Sequence, residues 1–163
     1  SGKETTLEIS GLTHNNDMCN FLCLLYCTYI KLIIMGVSNN KSKLFEQAFR
    51  MCMNKRWLDV YNTLKDEQSV LLYNNIADIP EHKVKSSGYV LHTLEAAVWC
   101  FITTDNFKDA VLKTVNLGDD TDTVACVTGG LAGIYYGLDD IPLEWKNGLK
   151  DIDKIYDVCY NVD

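Results

Sequence analysis

An all-α fold is predicted by three observations. Apolar residues recur at the three-to-four-residue spacing of a helix along most of the chain, two prolines interrupt 163 residues, and Asn, Thr, Asp and Gly stand where the apolar stripes begin and end. The length suits one domain, and an apolar content of 47% is enough to build a single core. The chain is therefore read as a single all-α domain or half-domain over residues 1–163, with no internal repeat or low-complexity segment.

The first element is a long buried helix from about Asp17 to Val37, containing the most apolar run of the chain, Phe21 to Val37. A membrane span is rejected because the run falls short of the roughly 20 residues a span needs. Lys31 also sits inside it, and Asn, Thr and Tyr lie within or beside it. Ser38-Asn39-Asn40 breaks the chain before an amphipathic helix carrying Leu44, Phe45, Ala48, Phe49 and Met51, and a third helix holds Trp57, Val60, Tyr61 and Leu64. Val70 to Ser87, with Pro80 and paired Asn and Ser, reads as a helix end and a loop.

From Tyr89 to Phe101 the residues Val90, Leu91, Leu94, Ala97, Val98 and Phe101 fall at helical spacing. Thr104-Asp105 is the expected N-cap of the next helix, which carries Phe107, Ala110, Val111, Leu112 and Val115 and ends near Gly118. A helix from about Thr123 to Tyr136 follows, stopped by Gly137; its interior Gly129, Gly130 and Gly133 each cost about 1 kcal/mol of helix stability against Ala, and close helix packing is their expected use. Ile141-Pro142 opens a short helix around Trp145, and the last dozen residues form an amphipathic tail with Ile152, Ile155, Tyr156 and Cys159.

Charge and cysteine usage bound the function. A net charge of −7 without a Lys/Arg cluster excludes a nucleic-acid or anionic-membrane surface, since such surfaces must attract phosphates. Seven cysteines, none in a CxxC pair, give neither a complete disulfide framework nor a zinc knuckle, so reduced thiols and a cytoplasmic location are expected. Cys19, Cys23 and Cys27 recur every four residues along one stripe of the first helix and are expected to pack in the core. No secretory signal is read in the first residues, which lack an apolar run.

The chemically informative segment is Gly118-Asp119-Asp120-Thr121-Asp122-Thr123, a carboxylate-rich turn between two helices. Oxygen donors without His or Cys suit a hard cation such as Mg²⁺ or Mn²⁺. An N-cap with acidic residues in the first turn is the other reading, favoured by the helix dipole. An EF-hand is excluded: counted from Asp120, Ala125 and Leu131 stand where Gly and Glu are required. A phosphotransferase of the haloacid-dehalogenase type is excluded too, because its nucleophilic Asp follows a strand, whereas here a helix precedes.

Four blocks in order carry a resemblance. Ser87-Gly88-Tyr89-Val90-Leu91, Thr93-Leu94-Glu95-Ala96-Ala97-Val98-Trp99, Val115-Asn116-Leu117-Gly118 with Asp120-Thr121-Asp122-Thr123, and Leu131-Ala132-Gly133-Ile134-Tyr135-Tyr136-Gly137 resemble the C-terminal half of the ADP-ribosylglycohydrolases. Ile141-Pro142-Leu143-Glu144-Trp145 fits that family's sequel, and Gly11-Leu12-Thr13-His14 resembles its segment opening a long helix; the likeness spans residues 11–149 and is strongest over 86–149.

The resemblance implies an ADP-ribosylglycohydrolase-like helical bundle and cleavage of the glycosidic bond between ADP-ribose and a modified target. It also implies two Mg²⁺ or Mn²⁺ ions in the complete site. By position, Asp120, Asp122 and Thr123 would be metal ligands, with Asp120 and Asp122 at the reacting centre. His14 would lie by the phosphates of ADP-ribose, and Gly88 and Tyr89 by its ribose and adenine. Glu95 is read as a structural carboxylate. Three positions depart from the family: Asp119 stands for a usual Gly, His92 for a frequent Asp, and Asn15-Asn16-Asp17 where His or Pro is common. The family's N-terminal half, with its Thr-Asp-Asp motif and glycine-rich loop, has no counterpart in this sequence. The expected partners are ADP-ribose or an ADP-ribosylated protein, together with a second chain supplying that half, or self-association. The competing expectation is a non-catalytic ADP-ribose-binding or structural relative with an incomplete metal site.

Overall fold

The computed structural model describes residues 2–73 and 75–160. Among them are nine α-helices and no strand: α1 Gly2–Gly11, α2 Asp17–Ile34, α3 Lys41–Cys52, α4 Leu58–Asp66, α5 Val90–Ile102, α6 Phe107–Asn116, α7 Thr121–Tyr136, α8 Leu143–Gly148 and α9 Ile152–Tyr160. The predicted all-α class is what folds.

Asparagines start three of these helices. The side chains of Asn16, Asn40 and Asn106 accept from the amides of Cys19, Lys43 and Asp109 at 2.9, 2.9 and 2.7 Å, each satisfying a donor that the first turn leaves unpaired. The cap of α6 is thus Asn106, one to two residues beyond the expected Thr104-Asp105. Chain ends at α2 and α7 are made by Gly36 and Gly137, both at positive φ.

By length and composition alone α2 could cross a membrane, with a mean hydropathy of 1.5 over 18 residues. Here it is a core strut packed against α1, α3, α4, α5 and α7, burying Phe21, Leu22, Leu24, Leu25, Tyr29 and Leu32. Its cysteine stripe corrects the expectation. Cys19 and Cys23 are half-buried and Cys27 is exposed, while the buried thiols are Cys52 and Cys100. The reason is angular: Cys19, Cys23 and Cys27 lie two residues before the buried Phe21, Leu25 and Tyr29 series, about 200° around the helix from it.

α5 is buried almost all round, from Thr93 through Ile102, because α2, α6 and α7 surround it. The irregular stretch between α4 and α5 is tied to it. Trp99 donates to Ile79 O at 3.0 Å, and Glu95 accepts from Ser69 Oγ at 2.6 Å and from the Val70 amide at 2.9 Å. Glu95 is therefore structural, as expected, and its partners are neutral donors; burial pushes its carboxyl above the usual range.

The opposite ends of α5 and α7 are clamped by Lys41 at the start of α3. Its ammonium donates to Phe101 O and to the Tyr136 hydroxyl, both at 2.9 Å, and to Thr104 O, among the rings of Phe101, Tyr135 and Tyr136. Between α2 and α7 the contact is closest at Gly130. A Cβ there would lie 2.6 Å from the Tyr26 hydroxyl, which donates to Val127 O at 3.1 Å. Gly129 and Gly133 have only ordinary contacts at 3.9 and 3.8 Å, so close packing explains one of the three interior glycines. α1 was not expected. It lies on α2, buries no residue completely, and walls the cysteine stripe.

Candidate functional site

Three helix starts converge at one end of the bundle. The loop before α2, the loop before α5 and the first turn of α7 line a groove of about 600 Å³ that includes Thr13, His14, Cys19, Gly88, Tyr89 and Thr123. All three helices point their N-terminal amides toward this end, which favours anions. Of the residues singled out from the sequence, His14, Gly88, Tyr89 and Thr123 share the groove wall. His14 and Tyr89 are exposed.

Asp120 and Asp122 stand beside it on the α7 turn. Gly118 and Asp119 both take positive φ, 81° and 61°, which swings the chain into α7. Asp tolerates that conformation better than most side chains, and Asp119 is exposed. Asp120 occupies the N-cap position but makes no side-chain cap bond. Its carboxylate instead lies over the neighbouring loop, with Oδ2 2.7 Å from where a Cβ of Gly88 would be. A side chain at position 88 would have to push that carboxylate aside. The Asp122 carboxyl is held below the usual carboxylate range, first by the Thr123 amide, then by the Asp120 side chain and its own amide. Asp122 stands in the first turn of α7, where the helix dipole favours an acidic side chain, while Asp120 faces the loop.

The donor chemistry fits part of a hard-cation shell. Two carboxylates and a hydroxyl, all oxygen donors, fall at the N-cap and in the first turn of α7. A cation there would neutralise two like charges. The shell is partial, since among the described residues no group of three or more His, Cys, Asp and Glu converges.

Sequence reasoning missed the fastening of the Ser86–Tyr89 loop. Ser86 Oγ donates to Gly118 O and Ser86 O accepts from the Asp120 amide, each at 3.1 Å, joining the two loops directly. Ser87 Oγ lies 2.7 Å from His92 Nδ1, and the Tyr89 hydroxyl donates to Glu67 Oε1 at 3.3 Å. His92 is held below its ordinary pKa by burial and then by Lys85, against opposing pulls from Glu67 and Asp119. The departure from the family at position 92 was a signal; its partners were not readable. Asn15, in the loop before α2, accepts from Asn20 Nδ2 at 3.3 Å, and Asn20 Oδ1 is a buried oxygen without a hydrogen-bond partner.

Among the described residues the molecule is a strand-free helical bundle with an acidic turn beside a groove framed by three helix starts. The chain matches the profile of the ADP-ribosylglycohydrolases over residues 3–162 and belongs to that family. An ADP-ribosylarginine hydrolase of Serratia proteamaculans (strain 568) is 47% identical over 88 residues, 52% of this chain and 24% of that protein. Another, of Pseudomonas putida (strain GB-1), is 33% identical over 136 residues, 83% of this chain and 33% of that protein. An ADP-ribosyl-dinitrogen reductase glycohydrolase of Rhodospirillum rubrum is 41% identical over 68 residues, 42% of this chain and 23% of that protein. The chain thus spans between about a quarter and a third of the length of these curated relatives.

Proposed function

We propose that this chain supplies one half of a hydrolase site that releases ADP-ribose from a modified target, and that hydrolysis requires the remainder of the family's domain. The observation that carries this reading is the joint placement of Asp120, Asp122 and Thr123 beside a groove walled by His14, Gly88 and Tyr89. Helix-start amides and His14 would receive the pyrophosphate, and Tyr89 would offer an aromatic face to the nucleoside. Asp120, Asp122 and Thr123 would hold Mg²⁺ or Mn²⁺ from one side. Bound there, the cation supplies a Lewis acid for the ribose oxygens and an incoming water. The two carboxylates stabilise the positive charge that develops at the anomeric carbon as its bond to the target breaks. The second of the two expected ions depends on residues outside this chain.

The need for the other half has support in an open apolar cleft of about 190 Å³ between α2, α5 and α7, lined by Leu22, Cys23, Tyr26, Val90, Leu94 and Val127. A second chain carrying the N-terminal half, or the preceding part of a longer parent, would cover it; self-association is the other way to do so. The incomplete convergence of acidic ligands favours a second reading, a relative that binds ADP-ribose without cleaving it.

Calorimetry with Mg²⁺ or Mn²⁺ on the complete two-half protein tests the assignment. Asp122→Asn should weaken binding at least about 100-fold, since removing a ligand costs more than removing a supporting partner. Wild-type affinity in that variant overturns it. The isolated chain should release ADP-ribose from modified proteins no faster than background. Metal-dependent turnover by the purified chain alone refutes the need for a second half, and metal binding without turnover in the complete protein selects the non-catalytic reading.

A further inference from the structure

The loop carrying Gly88 is held on its two sides by different means. On the α7 side, the Ser86 hydroxyl donates to Gly118 O and the Ser86 carbonyl accepts from the Asp120 amide. On the α5 side two side chains share the work: Thr93 Oγ1 donates to the carbonyls of Ser87 and Tyr89 at 3.3 Å each, and His92 engages the side chains of the same two residues. His92, in the first turn of α5, places Nδ1 2.7 Å from Ser87 Oγ and receives the Tyr89 ring edge-on, with centroids 5.1 Å apart and planes at 89°. The Ser87 hydroxyl accepts from the Tyr89 amide at 3.4 Å, which leaves its own proton for Nδ1. The imidazole therefore fixes the side chains on either side of Gly88, while Thr93 holds the corresponding carbonyls.

Gly88 is the surface on which the Asp120 carboxylate rests, with Oδ2 2.7 Å from the glycine's absent Cβ position. A shift of the Gly88 backbone toward α7 therefore displaces that carboxylate, the freer of the two partners, and changes its direction.

We propose that His92 is a positioning residue: acting through Ser87 and Tyr89, it fixes the Gly88 backbone and so sets both the direction of the Asp120 carboxylate and the aromatic wall of the groove. The inference rests on the reading of that groove as the ADP-ribose site, but its mechanical part can be tested apart from it. Aspartate, at the same position, could accept from Ser87 but would present no ring to Tyr89; the histidine does both.

The test is amide hydrogen exchange by NMR on this chain, comparing wild type, His92→Leu, His92→Asn and Ser87→Ala. His92→Leu and Ser87→Ala should each speed exchange of the Asp120 amide, which bonds to Ser86 O, about fivefold, the value of one ordinary hydrogen bond. The double variant should add nothing further. His92→Asn, whose amide group can stand where Nδ1 stands, should restore the wild-type rate, and the Val98 amide inside α5 should not change in any of them. In wild type, the nitrogen-15 shifts of His92 should report an unprotonated Nδ1. A wild-type Asp120 rate in His92→Leu, or equal acceleration at Val98, overturns the proposal. Should His92→Leu fail to fold, Ser87→Ala deletes the same bond from the other side and is read in the same way. ADP-ribose titrated into the complete protein should bind about fivefold more weakly to His92→Leu, and His92→Asn, which keeps the Ser87 bond but presents no ring to Tyr89, should recover only part of that loss. An exchange effect without any ADP-ribose binding by the wild type upholds the positioning role and refutes the functional reading of the groove.

Discussion

Gly88 and Gly130 answer the same geometric demand with opposite consequences. At each, a methyl group would land within 2.7 Å of an oxygen on another segment: the Asp120 carboxylate at one, the Tyr26 hydroxyl at the other. The carboxylate ends a short side chain at the open end of the bundle and can swing aside. The phenol ends a stiffer ring between α2 and α7 and donates to Val127 O, so displacing it breaks that bond and separates the helices. The same residue type thus protects a chemical arrangement in one place and a packing distance in the other, and stability and binding should be separable by mutation.

The largest effect expected is on the packing glycine. Gly130→Ala should cost about 1–3 kcal/mol of stability, the range for overpacking an interior, and lower the melting temperature. Metal affinity of the folded fraction should stay as in wild type; a melting temperature unchanged by the substitution would show that α2 and α7 separate freely there. Gly88→Ala should do the reverse. In the complete protein, Mg²⁺ or Mn²⁺ should bind about tenfold more weakly, comparable to disturbing a ligand's support, with the melting temperature close to wild type. Loss of both together would mean that the Gly88 loop is part of the core.

Glu95 sharpens the contrast from within α5. Its carboxyl is raised by burial, so the folded state holds a proton that the unfolded state releases. The stability it contributes is fully present below the unfolded carboxyl pKa and is lost as pH rises through the folded value. Glu95→Gln, which keeps an acceptor for Ser69 and Val70, should therefore melt higher than wild type at neutral pH and alike at acid pH. Identical melting curves at both pH values refute the shift. The smallest effect is expected at Asp119, where Gly would relieve the positive φ: Asp119→Gly should leave metal binding within about twofold of wild type by calorimetry. A large loss would show that this carboxylate turns toward the site.

What could be read from the sequence follows the range of the forces involved. α2, α5, α6 and α7 announce themselves through apolar spacing, and the acidic turn through its composition, because both are local patterns. α1 does not, since Leu7 and Ile9 make no stripe and its hold on α2 comes from tertiary contact. The cysteine stripe was legible as a stripe; which way it faced was decided by the larger apolar series two residues on. In the site, spacing could point to Asp120 and to Gly88 but could not bring them together across 32 residues. Nor could it pair Ser87 with His92, a bond that depends on how the loop turns into α5.

The Lys41 clamp has a consequence for how this molecule can be watched in solution. Burial lowers the pKa of its ammonium, yet two carbonyls, a phenol and three rings enclose the amine. An acylating reagent needs the free nitrogen lone pair and room to approach it, and although burial favours the first, the folded clamp denies the second. Lys41 should then be among the slowest lysines to be modified while the far ends of α5 and α7 stay together. Its rate of labelling serves as a chemical clock for the separation of those ends, at the pole of the bundle opposite the groove.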